Sequence, residues 1–159
     1  MNRDHKMKIS SNNGYSLAEV MIAAAILIVV IAGLIQLFVY TSALSDISKD
    51  TTTAVNEAQS KLEEIRNSNY AAITTNYASG GTPGNTFTPS AVTGKGIIYI
   101  DSSNSNLLVI EVDVSFRTRK GRVIGEDLDL DGVLDAGEDI DGNGHLDSPV
   151  KLISYLAIR

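Results

Sequence analysis

Apolar and polar positions divide the chain into regions with different periods. From Val20 to Val39 every residue is apolar except Gln36. A helix rises about 1.5 Å per residue, so this run spans roughly 30 Å, one hydrocarbon thickness. It predicts a transmembrane helix over 15–40. From Thr41 to Arg66 there is no Pro or Gly, and Ile47, Ala54, Ala58, Leu62 and Ile65 recur at helical spacing. The other faces carry Asp46, Lys49, Asp50, Glu57, Lys61, Glu63 and Glu64. The region 41–66 therefore reads as an amphipathic helix continuing the apolar one. A single helix from Ser16 to Arg66 would be about 77 Å long. Its outer half needs a cover for the apolar stripe, and a sheet is the expected one.

The pattern changes at Asn67. Residues 67–96 are rich in Asn, Ser, Thr and Gly, with Gly80-Gly81-Thr82-Pro83-Gly84 in the middle, which is connector chemistry with room for one short strand. Strands follow. Ile97–Ile100 is short and apolar. In Leu107–Phe116, Ile110, Val112, Val114 and Phe116 alternate with Glu111, Asp113 and Ser115. Arg119-Lys120-Gly121-Arg122 reads as a turn, Val123-Ile124 as the start of a return strand and Val150–Ile158 as a last strand. The fold class is α+β: a long N-terminal helix on a small antiparallel sheet of three or four strands, with a head over 97–159.

Composition sharpens this. The chain has 159 residues and no cysteine, so the head has no disulfides and no thiol chemistry. The net charge of −6 is local: nine acidic residues and no Lys or Arg lie between Glu126 and Asp147, and the rest of the chain is net positive. No basic patch with interleaved aromatics stands out, so no nucleic-acid contact is expected. His145 is the only histidine beyond the leader, and no phosphate-cradling glycine loop appears. An enzyme is not expected.

Residues 1–14 form a basic leader, with Arg3, Lys6 and Lys8 against Asp4. Positive charge before a span holds that end in the cytoplasm, which puts the head outside. A secretory signal peptide and a plain uncut anchor are alternatives. The apolar stretch is long for a signal peptide, and Thr41-Ser42-Ala43 is a mediocre cut site. Glu19 at the start of the apolar run fits neither alternative well. Intramembrane carboxylates cost roughly 2.5–3.5 kcal/mol on insertion scales and are usually paired. Glu19 either snorkels into the headgroups or meets a cation at its own depth. A cut after Gly14 would create such a cation, the α-amine of Tyr15.

Gly14, Tyr15, Ser16-Leu17 and Glu19-Val20-Met21, followed by an unbroken apolar helix, resemble the type IV prepilins and type II secretion pseudopilins. The resemblance implies a pilin-like fold, cleavage after Gly14 by a prepilin peptidase and methylation of the new terminus at Tyr15. It also implies that Glu19 pairs with a neighbouring subunit's terminus during filament assembly. The partners it implies are prepilin peptidase, other pilin or pseudopilin subunits and the inner membrane. Tyr15 stands for the commoner Phe, Ser16 for Thr, and Ala18 for a larger aliphatic. Ala58–Arg66 and the hairpin from Val112 through Gly121-Arg122 to Lys151–Tyr155 are similar to the PilV and pseudopilin I branch of minor pilins.

Residues 126–149 interrupt the final hairpin with a repeat. Calcium takes six to eight oxygens, and a twelve-residue loop supplies them at positions 1, 3, 5, 7, 9 and 12, with Gly at 6. In the first copy Asp127, Asp129 and Asp131 take positions 1, 3 and 5. Gly132 is at 6, Val133 offers its carbonyl at 7, Asp135 is at 9 and Glu138 at 12. Leu134, at 8, is expected to be an apolar peg. In the second copy Asp139, Asp141, Asn143, Gly144, His145 (by carbonyl) and Asp147 fit positions 1, 3, 5, 6, 7 and 9, and position 12 is Val150. The bidentate carboxylate is then missing. The repeat is similar to the tandem calcium loops of dockerin and thrombospondin type 3 modules. The plain alternative is a solvated acidic loop whose charges repel. The expected cofactor is Ca²⁺, one or two ions, which would replace the absent disulfides. The expected function is that of a filament subunit. A calcium-dependent binding or adhesion module at a filament tip is the alternative.

Overall fold

The structure, a computed structural model, describes residues 14–157. The leader charges and Ile158 lie outside the described residues. The fold is α+β: one long N-terminal helix, α1 (Leu17–Arg66), a short α2 (Tyr70–Asn76), and the strands β1 (Thr86–Phe87), β2 (Gly94–Asn104), β3 (Leu107–Arg117), β4 (Val123–Ile124) and β5 (Lys151–Ala157). The chain forms two compact units, Met1–Ser42 and Ala43–Arg159.

In the first unit α1 is long and apolar enough to cross a membrane. Its side chains from Leu17 to Ser42 are all exposed, including Ile28, Val29 and Phe38. In water such a surface would be unfavourable, whereas hydrocarbon accepts it.

The second unit is built where the apolar stripe meets a sheet. Ala54, Ala58 and Ile65 of α1 are buried, with Leu62 packed against them. They join Ile98 of β2 and Leu108, Ile110, Val112, Val114 and Phe116 of β3 in one core. The small alanines let the sheet approach the helix closely, while alternation sends every second residue of β3 inward. All strand pairings are antiparallel. β3 is central: it pairs with β2 along its length, with β4 at one end (Phe116 opposite Ile124) and with β5 at the other (Asp113 opposite Lys151).

Two regions differ from the sequence expectation. The connector contains α2, capped by Asn69, whose side chain accepts from the Ala71 N–H at 3.0 Å. Ile73 and Tyr77 tie it to the core. A single turn pair is too short to show a helical period, which is why composition alone read it as loop. The strand expected at Ile97–Ile100 runs from Gly94 to Asn104, because pairing with β3 carries polar residues that have no strand preference of their own.

The outer face of the sheet is covered at the end of β3 that carries Asp113 and Ser115, whereas Ile153 and Tyr155 of β5 on the same face stay exposed. Asp113 and Ser115, expected to be the polar face of β3, are 1% and 2% exposed. The insertion between β4 and β5 covers them.

Candidate metal centre

Both acidic copies fold by the same local rule: backbone N–H groups turn inward to carboxylates a few residues earlier. In the first copy Asp127 accepts from Asp131 N at 3.1 Å and Gly132 N at 3.0 Å. Asp129 accepts from Asp131 N, and Asp131 from Val133 N. In the second copy Asp139 accepts from Asn143 N at 3.0 Å and Gly144 N at 2.9 Å, Asp141 from Asn143 N, and Asn143 Oδ1 from His145 N. The sixth position requires a left-handed backbone, and Gly132 (φ 81°) and Gly144 (φ 80°) supply it. Val133 and His145 follow at the seventh. Asp127, Asp129 and Asp131 each bring an oxygen within 4.8 Å of the others, so these carboxylates can hold a metal ion. A cation with ligands at about 2.3–2.6 Å fits between oxygens so spaced.

The twelfth position separates the copies. Glu138 is buried, with its two oxygens accepting from Leu128 N at 2.8 Å and Asp135 N at 3.1 Å. Those donors are positions two and nine of the first copy. In the second copy the same two positions, Ile140 N and Asp147 N, donate to Glu126 at 3.2 Å and 3.0 Å. Glu126 thus stands to the second copy as Glu138 stands to the first. One of its oxygens lies within 4.8 Å of one oxygen each from Asp141 and Asp147. Val150, the residue at the nominal twelfth position, is instead buried in the core, and its carbonyl accepts from Val114 N at 3.0 Å. The carboxylate that the second copy lacks downstream comes from upstream. Sequence reasoning missed Glu126, although the repeat carries the signal: Glu126 precedes Asp127 as Glu138 precedes Asp139. Asp135 and Asp139 line the loops without joining the converging groups named here.

The insertion is fastened to the outer face of the sheet. A side chain at Gly132 would press on Lys95 and Thr86, and one at Gly125 would collide with Ser115. The His145 ring stacks on Tyr99 with centroids 4.0 Å apart, and the Tyr99 hydroxyl accepts from Leu146 N at 2.8 Å. Ser148 Oγ donates to the Val114 carbonyl at 2.6 Å. The apolar peg is Leu146, 1% exposed, whereas Leu134 at the equivalent place is 41% exposed. The correction follows from position: the second copy lies against the sheet and the first reaches solvent with its eighth residue.

Charge is concentrated under the second copy. Lys151 Nζ bonds Asp147 Oδ1 and lies 3.0 Å from Glu111 and 4.0 Å from Asp113. Burial pushes the Asp113 carboxyl up to about 8; the Lys151 charge opposes this, and the neighbouring Glu111 carboxylate adds to it. The hydrogen bond from Lys151 holds Asp147 below the usual carboxylate range. For Lys151 itself burial works downward, but the hydrogen bond to Asp147 and the negative charge of Glu111 and Asp113 beside it prevail and raise it. Burial raises Asp127 as well, against the N–H groups of Leu130, Gly132 and Asp131. A cation at the first copy would favour the ionised form that burial disfavours.

Gly14, Tyr15 and Glu19 belong to the other unit. Gly14 and Tyr15 precede α1, and Glu19 is in its first turn, where its N–H donates to the Ser16 carbonyl at 3.0 Å. All three are exposed.

No family model, no curated protein and no solved structure matches this chain.

Proposed function

We propose that this chain is a minor pilin or pseudopilin: a single-pass inner-membrane precursor, cut after Gly14 by prepilin peptidase, that enters a type IV pilus or type II secretion pseudopilus through its N-terminal helix. The observation that carries the reading is the carboxylate of Glu19 in the first turn of an otherwise apolar helix, five residues past Gly14. In a filament, the methylated α-amine of a neighbouring Tyr15 would neutralise that carboxylate in hydrocarbon. The α+β head, a helix on a small antiparallel sheet, is compatible with the pilin-like fold. Mass spectrometry of the mature amino terminus tests processing. A start at methylated Tyr15 is expected, and an intact Met1 in cells with active peptidase would overturn it. Glu19→Ala is expected to insert in the membrane and fail to enter filaments; normal incorporation would remove its role in register.

The head, in this reading, binds Ca²⁺ at two loops. All the converging groups are oxygens, and backbone N–H groups hold Asp127, Asp129, Asp131, Glu138, Asp139, Asp141 and Glu126 in place without neutralising them. Asp127, Asp129, Asp131, Val133, Asp135 and Glu138 would hold one ion. Asp139, Asp141, Asn143, His145, Asp147 and Glu126 would hold the other. Calcium accepts this ligand number and flexibility, whereas Mg²⁺ demands near-ideal octahedra and retained water. Calorimetry should register two ions and a raised melting temperature; no heat and no stabilisation would refute both sites.

The alternative, a calcium-dependent adhesion module at a filament tip, draws on the exposed apolar side chains of the insertion: Leu128, Val133 and Ile140, the last 77% exposed. Deleting 126–147 separates the roles. Lost adhesion with intact assembly assigns binding to the loops, and an unfolded head assigns them to stability.

A further inference from the structure

The second copy differs from the first in having a lysine on its ninth-position carboxylate. Lys151 Nζ bonds Asp147 Oδ1, and Asn143 Nδ2 donates to Asp147 Oδ2 at 2.7 Å. Both oxygens of Asp147 are therefore engaged by the protein itself. Asp135, its counterpart in the first copy, takes part in none of the ion pairs among the described residues. An ion entering the second loop must compete with an ammonium that the first loop does not have.

A second position for that ammonium already exists. Asp113 lies opposite Lys151 in the β3–β5 ladder, so the two side chains share the outer face of the sheet. Asp113 is 1% exposed, and neither of its oxygens has a hydrogen-bond partner. Buried acceptors left in that state are rare and costly. Lys151 Nζ is 4.0 Å from Asp113 Oδ1, a distance that side-chain rotation closes without moving the backbone. Glu111 Oε1, 3.0 Å from Nζ but without hydrogen-bond alignment, stands beside both positions. His145, whose Nδ1 is 3.5 Å from Glu111, also faces this cluster, and the Tyr99 hydroxyl feels the charges of Asp113, Asp147 and Glu111.

We infer that Lys151 is a tethered counter-cation of the second loop, and that an ion entering this loop displaces its ammonium from Asp147 to Asp113. The inference rests on the calcium reading above. Lysine stays charged throughout. The ion takes the carboxylate nearest to it, repulsion drives the ammonium away, and the buried carboxylate receives it. Filling the second loop then tightens the insertion against β3. The competition also makes the second ion bind more weakly than the first.

Calcium titration of the full chain in detergent micelles tests this. Lys151→Met should strengthen the second binding step about tenfold, within the range usual for linked sites, and leave the first unchanged. Asp113→Asn should weaken the second step, since the ammonium loses the acidic group that would receive it. The carboxyl carbon resonance of Asp113 should move with the second equivalent of calcium in the wild-type chain. Lys151→Gln provides a second neutral variant if the methionine disturbs folding. An unchanged or weakened second step in the neutral variants, or an Asp113 signal indifferent to calcium, overturns the inference. Absence of calcium heat at both loops would instead overturn the calcium reading itself.

Discussion

In the first copy of the acidic repeat the closing carboxylate, Glu138, lies downstream; in the second it is Glu126, upstream of both copies at the first residue of the insertion. The hydrogen bonds from positions two and nine are the same in both. The difference teaches that the repeat is closed as a unit: each glutamate precedes one copy and closes the other. Glu126 and Asp147 bond each other twice, Glu126 N to the Asp147 carbonyl at 2.8 Å and Asp147 N to the Glu126 carboxylate at 3.0 Å. The ends of the insertion meet there, beside the sheet. The first copy, by contrast, turns Leu134 to solvent while the second buries Leu146.

The largest test of that contrast is at the two pegs. Leu146→Ala should cost about 2–5 kcal/mol, the range for emptying a packed leucine site, and Leu134→Ala should stay within about 0.5 kcal/mol. Urea unfolding of both variants decides it, and equal effects would mean that the second copy does not anchor the insertion. The next test concerns closure. Glu138→Gln and Glu126→Gln should each weaken one calcium site, by at least about 10–100-fold, the loss typical of disturbing even an outer-shell partner of a metal. Calorimetry should count one tight ion in either variant. A Glu126 variant that keeps both sites would return the second copy to an open loop.

A third test addresses the surface beneath the second copy. Asp113 is pushed up to about 8 in the fold, against about 3.9 in an unfolded chain. Between those values the folded state holds a proton that the unfolded state has lost. Stability in the metal-free protein should therefore fall as pH rises from about 4 to 8 and level off above that window. Asp113→Asn should flatten the fall and be the more stable protein at pH 8. Urea midpoints at pH 5 and pH 8 measure the slope, and an identical slope in both proteins would sink this account. The smallest test compares the fourth positions, both left-handed: Leu130 at φ 66° and Gly142 at φ 76°. A side chain there costs roughly 1–2 kcal/mol. Leu130→Gly should gain up to about 1 kcal/mol and Gly142→Ala should lose about as much, read as shifts in melting temperature.

These contrasts mark how far the sequence could be read. The helix was legible end to end, because its apolar run and the Ala54–Ala58–Ile65 stripe are periodic signals carried by neighbours in the chain. The alternation of Ile110, Val112, Val114 and Phe116 placed the inner face of β3 in the same way. Alternation also put Asp113 and Ser115 on the other face, but it could not say what covers them, which is a segment some thirty positions later. In α2 too little chain was available for a period to appear.

The same division runs through the candidate site. Sequence by itself determined the cradles, because Asp127 with Gly132, or Asp139 with Gly144, act over five residues. It also placed Glu19 beside Gly14 at the start of an apolar helix. Only the tertiary structure decided that Glu126 closes the second cradle, that Leu146 rather than Leu134 is the peg, and that Lys151 sits between Asp147 and Asp113. The physical reason is reach. Local hydrogen bonds are specified by spacing along the chain, whereas a side chain twenty-one residues away becomes a partner only when a sheet brings both ends of the insertion together.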